Sequence, residues 1–441
     1  MGAAAQRATR LRFGLLGKGR EIHKSIGAGR MGILAPLLAA LAGLAPPGVA
    51  HAGGLYVGEF GTPSMGTASA GAVASASDAS TALHNPAGMT RLDEHQLMLG
   101  AAPGITQITF DPAGDTPTPG SDGGNQGGFV PIVSASYVHK LSERWRLGAA
   151  LLSVSGAVLD PRDNWVGRNQ ITEVSLFTLS LAPTVAYRVT DWLSLAAGPI
   201  VTYGSLNFEL ASPPIPPGPM GTEREIKIED AYDFAFSANV SGLIELTPDL
   251  RVGIAYLSET DFNLDGDIKL GGVSPNIELD LTLPQVIRWD VFWEATDKIS
   301  LMAGGDWEDW SRTSRLPVSI ASIDTTGDLH FRDTWKAKAG IHYRLNDAWL
   351  LKAGFAYDTS VVKNKYRNAA FPIDRQFRYA VGALHDYTED TTLGFGFEFV
   401  DLGKARLNNN VVKGKYDRNF AMFLNFTVNW KGLPWEDWGT F

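Results

Sequence analysis

Residues 420 to 430 read Phe-Ala-Met-Phe-Leu-Asn-Phe-Thr-Val-Asn-Trp, with large apolar side chains at every even position and mostly small or polar ones between them. A period of two marks a strand whose two faces meet different solvents. The pattern recurs upstream. Leu393, Phe395, Phe397 and Phe399 alternate with Gly394, Gly396 and Glu398, and Trp335, Ala337, Ala339, Ile341, Tyr343 and Leu345 alternate with Lys336, Lys338, Gly340, His342 and Arg344. Between 277 and 294, Ile277, Leu279, Leu281, Leu283, Ile287, Trp289, Val291 and Trp293 oppose Glu278, Asp280, Thr282, Arg288, Asp290 and Glu294. Such runs are longer than the five or six residues usual in soluble sandwiches. At about 3.4 Å per residue and a tilt near 45°, ten residues span roughly 24 Å, the height of the apolar band of an outer-membrane barrel. Length and alternation together predict lipid outside and a polar lumen inside, where Lys336, Lys338 and Arg344 are offset by Glu278, Asp280 and Glu398.

The connections give the topology. Short polar turns near 140–144, 188–191, 247–249, 296–298, 345–348 and 387–390 alternate with longer Gly-, Pro-, Asn- and charge-rich segments at 111–130, 157–168, 212–229, 258–276, 311–329, 359–375 and 402–418. Short periplasmic turns and long extracellular loops are the asymmetry of bacterial barrels. The expected fold is therefore an all-β transmembrane antiparallel barrel of about fourteen strands, the first at 96–110 and the last at 419–430. Trp145, Tyr187, Trp192, Trp293, Tyr343, Trp349 and Trp430 fall at strand ends, where an interfacial aromatic belt would sit.

Composition excludes several alternatives. The 441 residues include 48 glycines, 12 tryptophans and 44% hydrophobic residues, yet the mean hydropathy is -0.04. No stretch beyond residue 52 reaches the 18 consecutive apolar residues of a spanning helix. The chain has no cysteine, which removes thiolate nucleophiles and Cys-ligated zinc. Its eight histidines show no HxxxH or HxH spacing, so no metal site is expected. Without a GxSxG elbow, His84 and His342 have no serine to serve, and neither catalysis nor a cofactor is expected. The first 52 residues combine a basic stretch, an apolar run from Ile33 to Leu44 and Ala50-His51-Ala52, the pattern of a secretory signal peptide, with Met31 as a second candidate start. Removing its seven Lys/Arg and one Glu from 38 basic and 47 acidic residues leaves 31 against 46, a balance unsuited to nucleic acid.

Residues 53–94 do not alternate. They are rich in small residues, too short for a domain and too apolar for a linker, so they must be buried inside something else. The run Gly53 to Gly71, Asp78-Ala79-Ser80-Thr81 leading into Asn85-Pro86-Ala87-Gly88-Met89, then Asn164-Trp165-Val166-Gly167-Arg168 and Lys352-Ala353-Gly354-Phe355-Ala356-Tyr357-Asp358, resembles the FadL/TodX-type family of outer-membrane transporters for long-chain fatty acids and aromatic hydrocarbons. The resemblance implies a small N-terminal hatch, 53–94, plugging a barrel of residues 95–430, with 431–441 as a C-terminal tail. Asn85, Pro86, Ala87 and Gly88 would form the hatch motif, and the mature N-terminus, Gly53 with Leu55, Tyr56 and Phe60, would lie against substrate. It also implies an interrupted third strand that opens the wall sideways. Gly156 is the candidate, the alternative being that it simply begins the loop. The Pro-rich loop carrying Ile215 and Met220 is either an extracellular landing site or a stiff loop without a ligand. The function so implied is ligand-gated passive uptake of hydrophobic compounds with lateral exit, by a monomer set among outer-membrane lipid and lipopolysaccharide. A general porin, sharing the barrel but lacking an ordered plug, is the alternative.

Overall fold

The structure is a computed structural model that describes residues 59–153, 156–212, 223–270, 274–321 and 323–432. The signal segment, Gly53, Leu55, Tyr56, Ile215, Met220 and nearly all of the tail lie outside the described residues. Gln96–Ala101, Val133–Lys140, Trp145–Leu152, Glu173–Arg188, Leu193–Ser212, Arg224–Thr247 and Leu250–Leu257 pair antiparallel, each with the next. The ladder continues through Val286–Glu294, Ile299–Glu308, Thr334–Asn346, Trp349–Asp358, Gln376–Asp386, Thr391–Asp401 and Lys413–Lys431. Lys413–Lys431 then pairs back onto Gln96–Ala101, so the sheet closes on itself as an all-β antiparallel barrel. Closure satisfies the backbone within the wall, the condition for crossing lipid with strands.

The sheet divides into twenty-two strand segments among the described residues, more than the fourteen strands expected, because breaks split the longer runs. One break falls at Pro284-Gln285, between Asn276–Leu283 and Val286–Glu294. Segments expected to be loops also carry strands, Phe129–Val130 within 111–130 among them. Thr260–Leu270 lies within 258–276, Arg315–Ile320 and Ile323–Asp328 within 311–329, and Arg406–Asn408 within 402–418. They extend the wall on the side away from the short turns. Leu193–Ser212 has 20 residues, about 48 Å at the same rise and tilt, well beyond the roughly 30 Å of hydrocarbon.

The outer face changes along that height. Near the short turns it presents Leu195, Val240, Ile254, Val291, Leu301, Ile341, Leu351, Phe395 and Phe426, all exposed. Trp145, Trp192, Trp293 and Tyr343, also exposed, lie close to the turns themselves, and Trp145 packs on Tyr187 with ring centroids 4.5 Å apart. The extension does the reverse. Ile277, Leu279, Leu281 and Leu283 are buried inside, while Glu278 and Asp280 are exposed outside. These two acids are therefore not lumen charges, contrary to the alternation reading. Beyond Pro284-Gln285 the parity flips, so that Asp290 and Phe292 point in and Val291 and Trp293 point out.

Candidate functional site

The inner surface of the barrel has two tiers. Around the short-turn half, the side chains pointing in are largely polar or small: Ser134, Ser136, Ser180, Thr184, Ser194, Asn239, Ser241, Asn425, Thr427 and Asn429 are all buried. Residues 59–94 fill the space they enclose. A short non-repetitive segment brings a full complement of backbone donors and acceptors into a buried place, and these need partners. The wall supplies them. Asn425 accepts from Gly61 N at 3.0 Å and donates to Thr62 O at 2.9 Å, Asp290 accepts from Val73 N at 3.0 Å, and Arg251 Nε donates to Ala74 O at 2.9 Å. Close approach is bought by missing side chains. A Cβ on Gly253 would lie 1.7 Å from Val73 O, and one on Gly354 would lie 2.1 Å from Thr67 O.

The residues expected to form a hatch motif sit at this junction. Asn85 Nδ2 donates to Val73 O at 2.6 Å and across to Gly242 O of the wall at 3.0 Å, and its Oδ1 accepts from Ala87 N at 3.1 Å. Pro86, Ala87 and Gly88 are buried in the turn Pro86–Arg91 that follows. A Cβ on Gly88 would press Ala76 Cβ at 2.7 Å, so glycine is required there for packing. His84 is within 3.1 Å of Thr62 Oγ1 and 3.2 Å of Ser64 Oγ. Burial, reinforced by the Arg288 guanidinium, pushes its pKa down to about 3, so it is a neutral hydrogen-bonding strut.

A buried charge cluster, only partly visible in the sequence, ties the segment to the wall. Arg378 Nη1 donates to Glu59 at 2.7 Å and Glu398 at 3.1 Å, and its Nε donates to Asp358 at 3.0 Å. Lys338 lies 2.8 Å from Asp306 and 3.4 Å from Asp290, and Lys336 lies 3.7 Å from both Asp306 and Asp358. Alternation placed Lys336, Lys338 and Glu398 in the lumen, as found. Glu59 and Arg378 carried no such signal, because nothing local says which distant charges will meet.

Above this tier the inside becomes apolar. Ile108, Phe110, Leu159, Leu176, Leu206, Phe208, Ile228, Phe262, Leu279 and Val318 belong to one continuous buried cluster. Phe60 and Met65 of the N-terminal segment join it from below, Phe60 against Phe423 with centroids 4.1 Å apart. Ala369, Ala370 and Phe371 of the loop after Trp349–Asp358 join it as well, and Arg367 ties that loop down by donating to Val362 O and Ile373 O. Of the sequence candidates near substrate, Phe60 thus lies on the boundary between the tiers. Trp165 is part of the cluster and donates to Ile171 O at 2.7 Å, while Arg168 pairs with Glu223 at 2.7 Å. Gly156 opens the strand Gly156–Leu159, whose pairing among the described residues is with Glu173–Arg188 alone, Gly156 facing Phe177.

An apolar cluster above a polar tier thus lies inside a closed all-β barrel. Residues 44–431 match the family described as outer membrane protein transport protein (OMPP1/FadL/TodX). The chain belongs to this family. It resides in the outer membrane, and it is a transport protein rather than an enzyme or a general porin. Outer membrane protein P1 of Haemophilus influenzae is 24% identical over 89% of this chain and 95% of the relative. The long-chain fatty acid transport protein of Escherichia coli strain K12 is 22% identical over 81% of this chain and 90% of its own. Among solved structures, a Pseudomonas aeruginosa FadL homologue superposes with a TM-score of 0.77 at 19% identity, covering 87% of this chain and 99% of that one. The Ralstonia pickettii toluene transporter TbuX does so with a TM-score of 0.64 at 16% identity, over 85% and 98%. These two likenesses concern the fold.

Proposed function

We propose that this family member admits long-chain fatty acids or aromatic hydrocarbons by ligand-gated passive diffusion, as a monomer set in outer-membrane lipid and lipopolysaccharide. In this reading the wall is a ring of fourteen strands and residues 53–94 are its hatch, with Gly53, Leu55, Tyr56 and Phe60 against the ligand. The observation that carries it is the apolar cluster seated directly on Phe60 and Met65. A hydrophobic solute gains about 25 cal/mol per Å² of apolar surface on leaving water for such a place, and nothing on entering a wide polar pore. The names of the fatty acid and toluene transporters among its relatives support the same substrates. Exit is lateral, at the third strand. Among the described residues Gly156–Leu159 pairs on one side only, which supports this, since an unpaired wall edge is where an opening is least costly. Ile215 and Met220 are proposed as the extracellular landing site.

Deleting residues 53–91 from the mature chain tests the reading. The barrel should still insert and show a heat-modifiable band on electrophoresis. Its single-channel conductance in planar bilayers should rise at least about tenfold, because the polar tier would hold water in place of the segment. A full-length protein that already conducts as freely as the deletion would overturn it.

A further inference from the structure

We propose that the short-turn mouth of the barrel holds a second site, for a small monoanionic carboxylate, built on Lys352 and His342. The site goes beyond the transport reading and stands on the other side of the N-terminal segment from the apolar cluster. Beneath that segment lies a cavity of about 580 Å³, lined by Pro63 and Asp78 from above and by Arg251, His342, Arg344 and Lys352 from the wall. His342 and Lys352 are cross-strand partners on neighbouring strands, both buried and both turned inward.

Neither is satisfied as its neighbours are. Lys336, Lys338 and Arg378 each have carboxylate partners, but Lys352 forms no ion pair among the described residues. Its Nζ donates to Pro63 O at 3.3 Å, which leaves two of the three ammonium protons without a protein acceptor there. The His342 ring packs edge-on against Phe292 at 5.7 Å, and neither ring nitrogen has a hydrogen-bond partner among the described residues. Asp78 faces the same cavity but is engaged with Ser80, its Oδ1 accepting from Ser80 N at 3.0 Å. Arg251 is taken by Glu294 at 2.8 Å.

A buried ammonium with one carbonyl partner is unfavourable until an anion supplies the missing charge. A carboxylate fits the vacancy. Its two oxygens accept from Lys352 and from an imidazole N–H of His342 together, and such charge-assisted bonds are the strong ones. Leu350 and Leu384 on the same lining offer apolar contact for what the carboxylate is attached to. On the lining as a whole Asp78, Asp249, Glu294, Asp297 and Asp386 offset Arg251, Lys298, Arg344, Lys352 and Lys431, so the cavity has no net positive charge to hold a dianion such as phosphate.

Fluorine NMR titration of the mature protein in detergent with 4-fluorobenzoate, neutral 4-fluorobenzamide and inorganic phosphate reads the site directly. Benzoate should bind saturably, and more tightly than either of the other two. Lys352→Met should weaken benzoate about ten- to a hundredfold, as expected for a lost charged hydrogen bond, and leave benzamide unchanged. Lys352→Arg should retain binding, and His342→Gln should lose a few fold. Because Lys352 also holds the Pro63 carbonyl, conductance of each variant reports whether the plug has moved. Should Lys352→Met leak, His342→Gln against Lys352→Arg carries the comparison. Benzoate that does not saturate, phosphate that binds more tightly, or a closed Lys352→Met variant that binds benzoate like the parent would each overturn the site, and none of these bears on hydrocarbon uptake.

Discussion

Near the short turns the wall sends Leu, Val, Phe and Trp outward and Ser, Thr, Asn and charged residues inward. Toward the long loops it sends Leu, Ile and Phe inward and Asp, Glu and Asn outward. The same strands run through both regions, so secondary structure does not explain the reversal. The solvent outside does. Where lipid surrounds the wall, apolar side chains are stable outside, and the inside is free to be polar and to satisfy the backbone of residues 59–94. Where the wall rises beyond the hydrocarbon, water surrounds it, and the apolar side chains gather within. The apolar cluster thus arises in the part of the barrel that rises beyond the hydrocarbon.

If the polar tier is held by its charge cluster, removing the central cation should have the largest effect. Arg378→Met leaves Glu59, Asp358 and Glu398 buried without their common partner. Breaking a buried ion pair in this way costs about 3–5 kcal/mol. The variant should unfold at markedly lower temperature in the heat-modifiability assay and, with Glu59 released, should conduct ions. A variant as stable and as tightly closed as the parent would show that the cluster does not anchor the segment.

The boundary between the tiers is sharpened by two substitutions at adjacent positions. Leu279→Asp places an unpaired carboxylate inside the apolar tier and should cost about 3 kcal/mol or more, with loss of hydrophobic uptake. Glu278→Leu, on the watery outer face, should change stability by no more than about 0.5 kcal/mol. Equilibrium unfolding in detergent checks both. Alternation alone predicts the opposite order, because it places Leu279 toward lipid and Glu278 toward the lumen.

That failure shows what a sequence carries. From Phe420 to Trp430 and from Trp335 to Leu345 the apolar parity faces lipid as expected, since these stretches lie in one solvent throughout. From Ile277 to Trp293 the odd positions are apolar on both sides of Gln285, but Pro284-Gln285 breaks the strand and turns the parity over as the outside changes from water to lipid. Sequence parity is blind to a break whose two sides both read as apolar. The short turns were legible because they are local, and Asn85 to Gly88 because they form a compact motif. Glu59 with Arg378 was not, being a contact across 319 residues.

A small effect on stability, and the most specific one on function, is expected at Gly156. Its strand has a partner on the Glu173–Arg188 side, whereas the ladder between Val133–Lys140 and Trp145–Leu152 ends at Ser134 opposite Leu152, short of it. Glycine there leaves the backbone approachable, and a β-branched residue stiffens a strand and adds bulk where a ligand would pass. Gly156→Ile should therefore assemble normally, with stability within about 1 kcal/mol of the parent, because the pairing to Phe177 is made by backbone groups that the substitution leaves in place. Uptake of a radiolabelled hydrophobic compound should fall several-fold, while equilibrium binding to the chamber is unchanged. If uptake and binding fall together, the residue belongs to the chamber. If a correctly assembled variant takes up substrate at the parental rate, the opening lies elsewhere in the wall, and the difference between the tiers explains binding without explaining release.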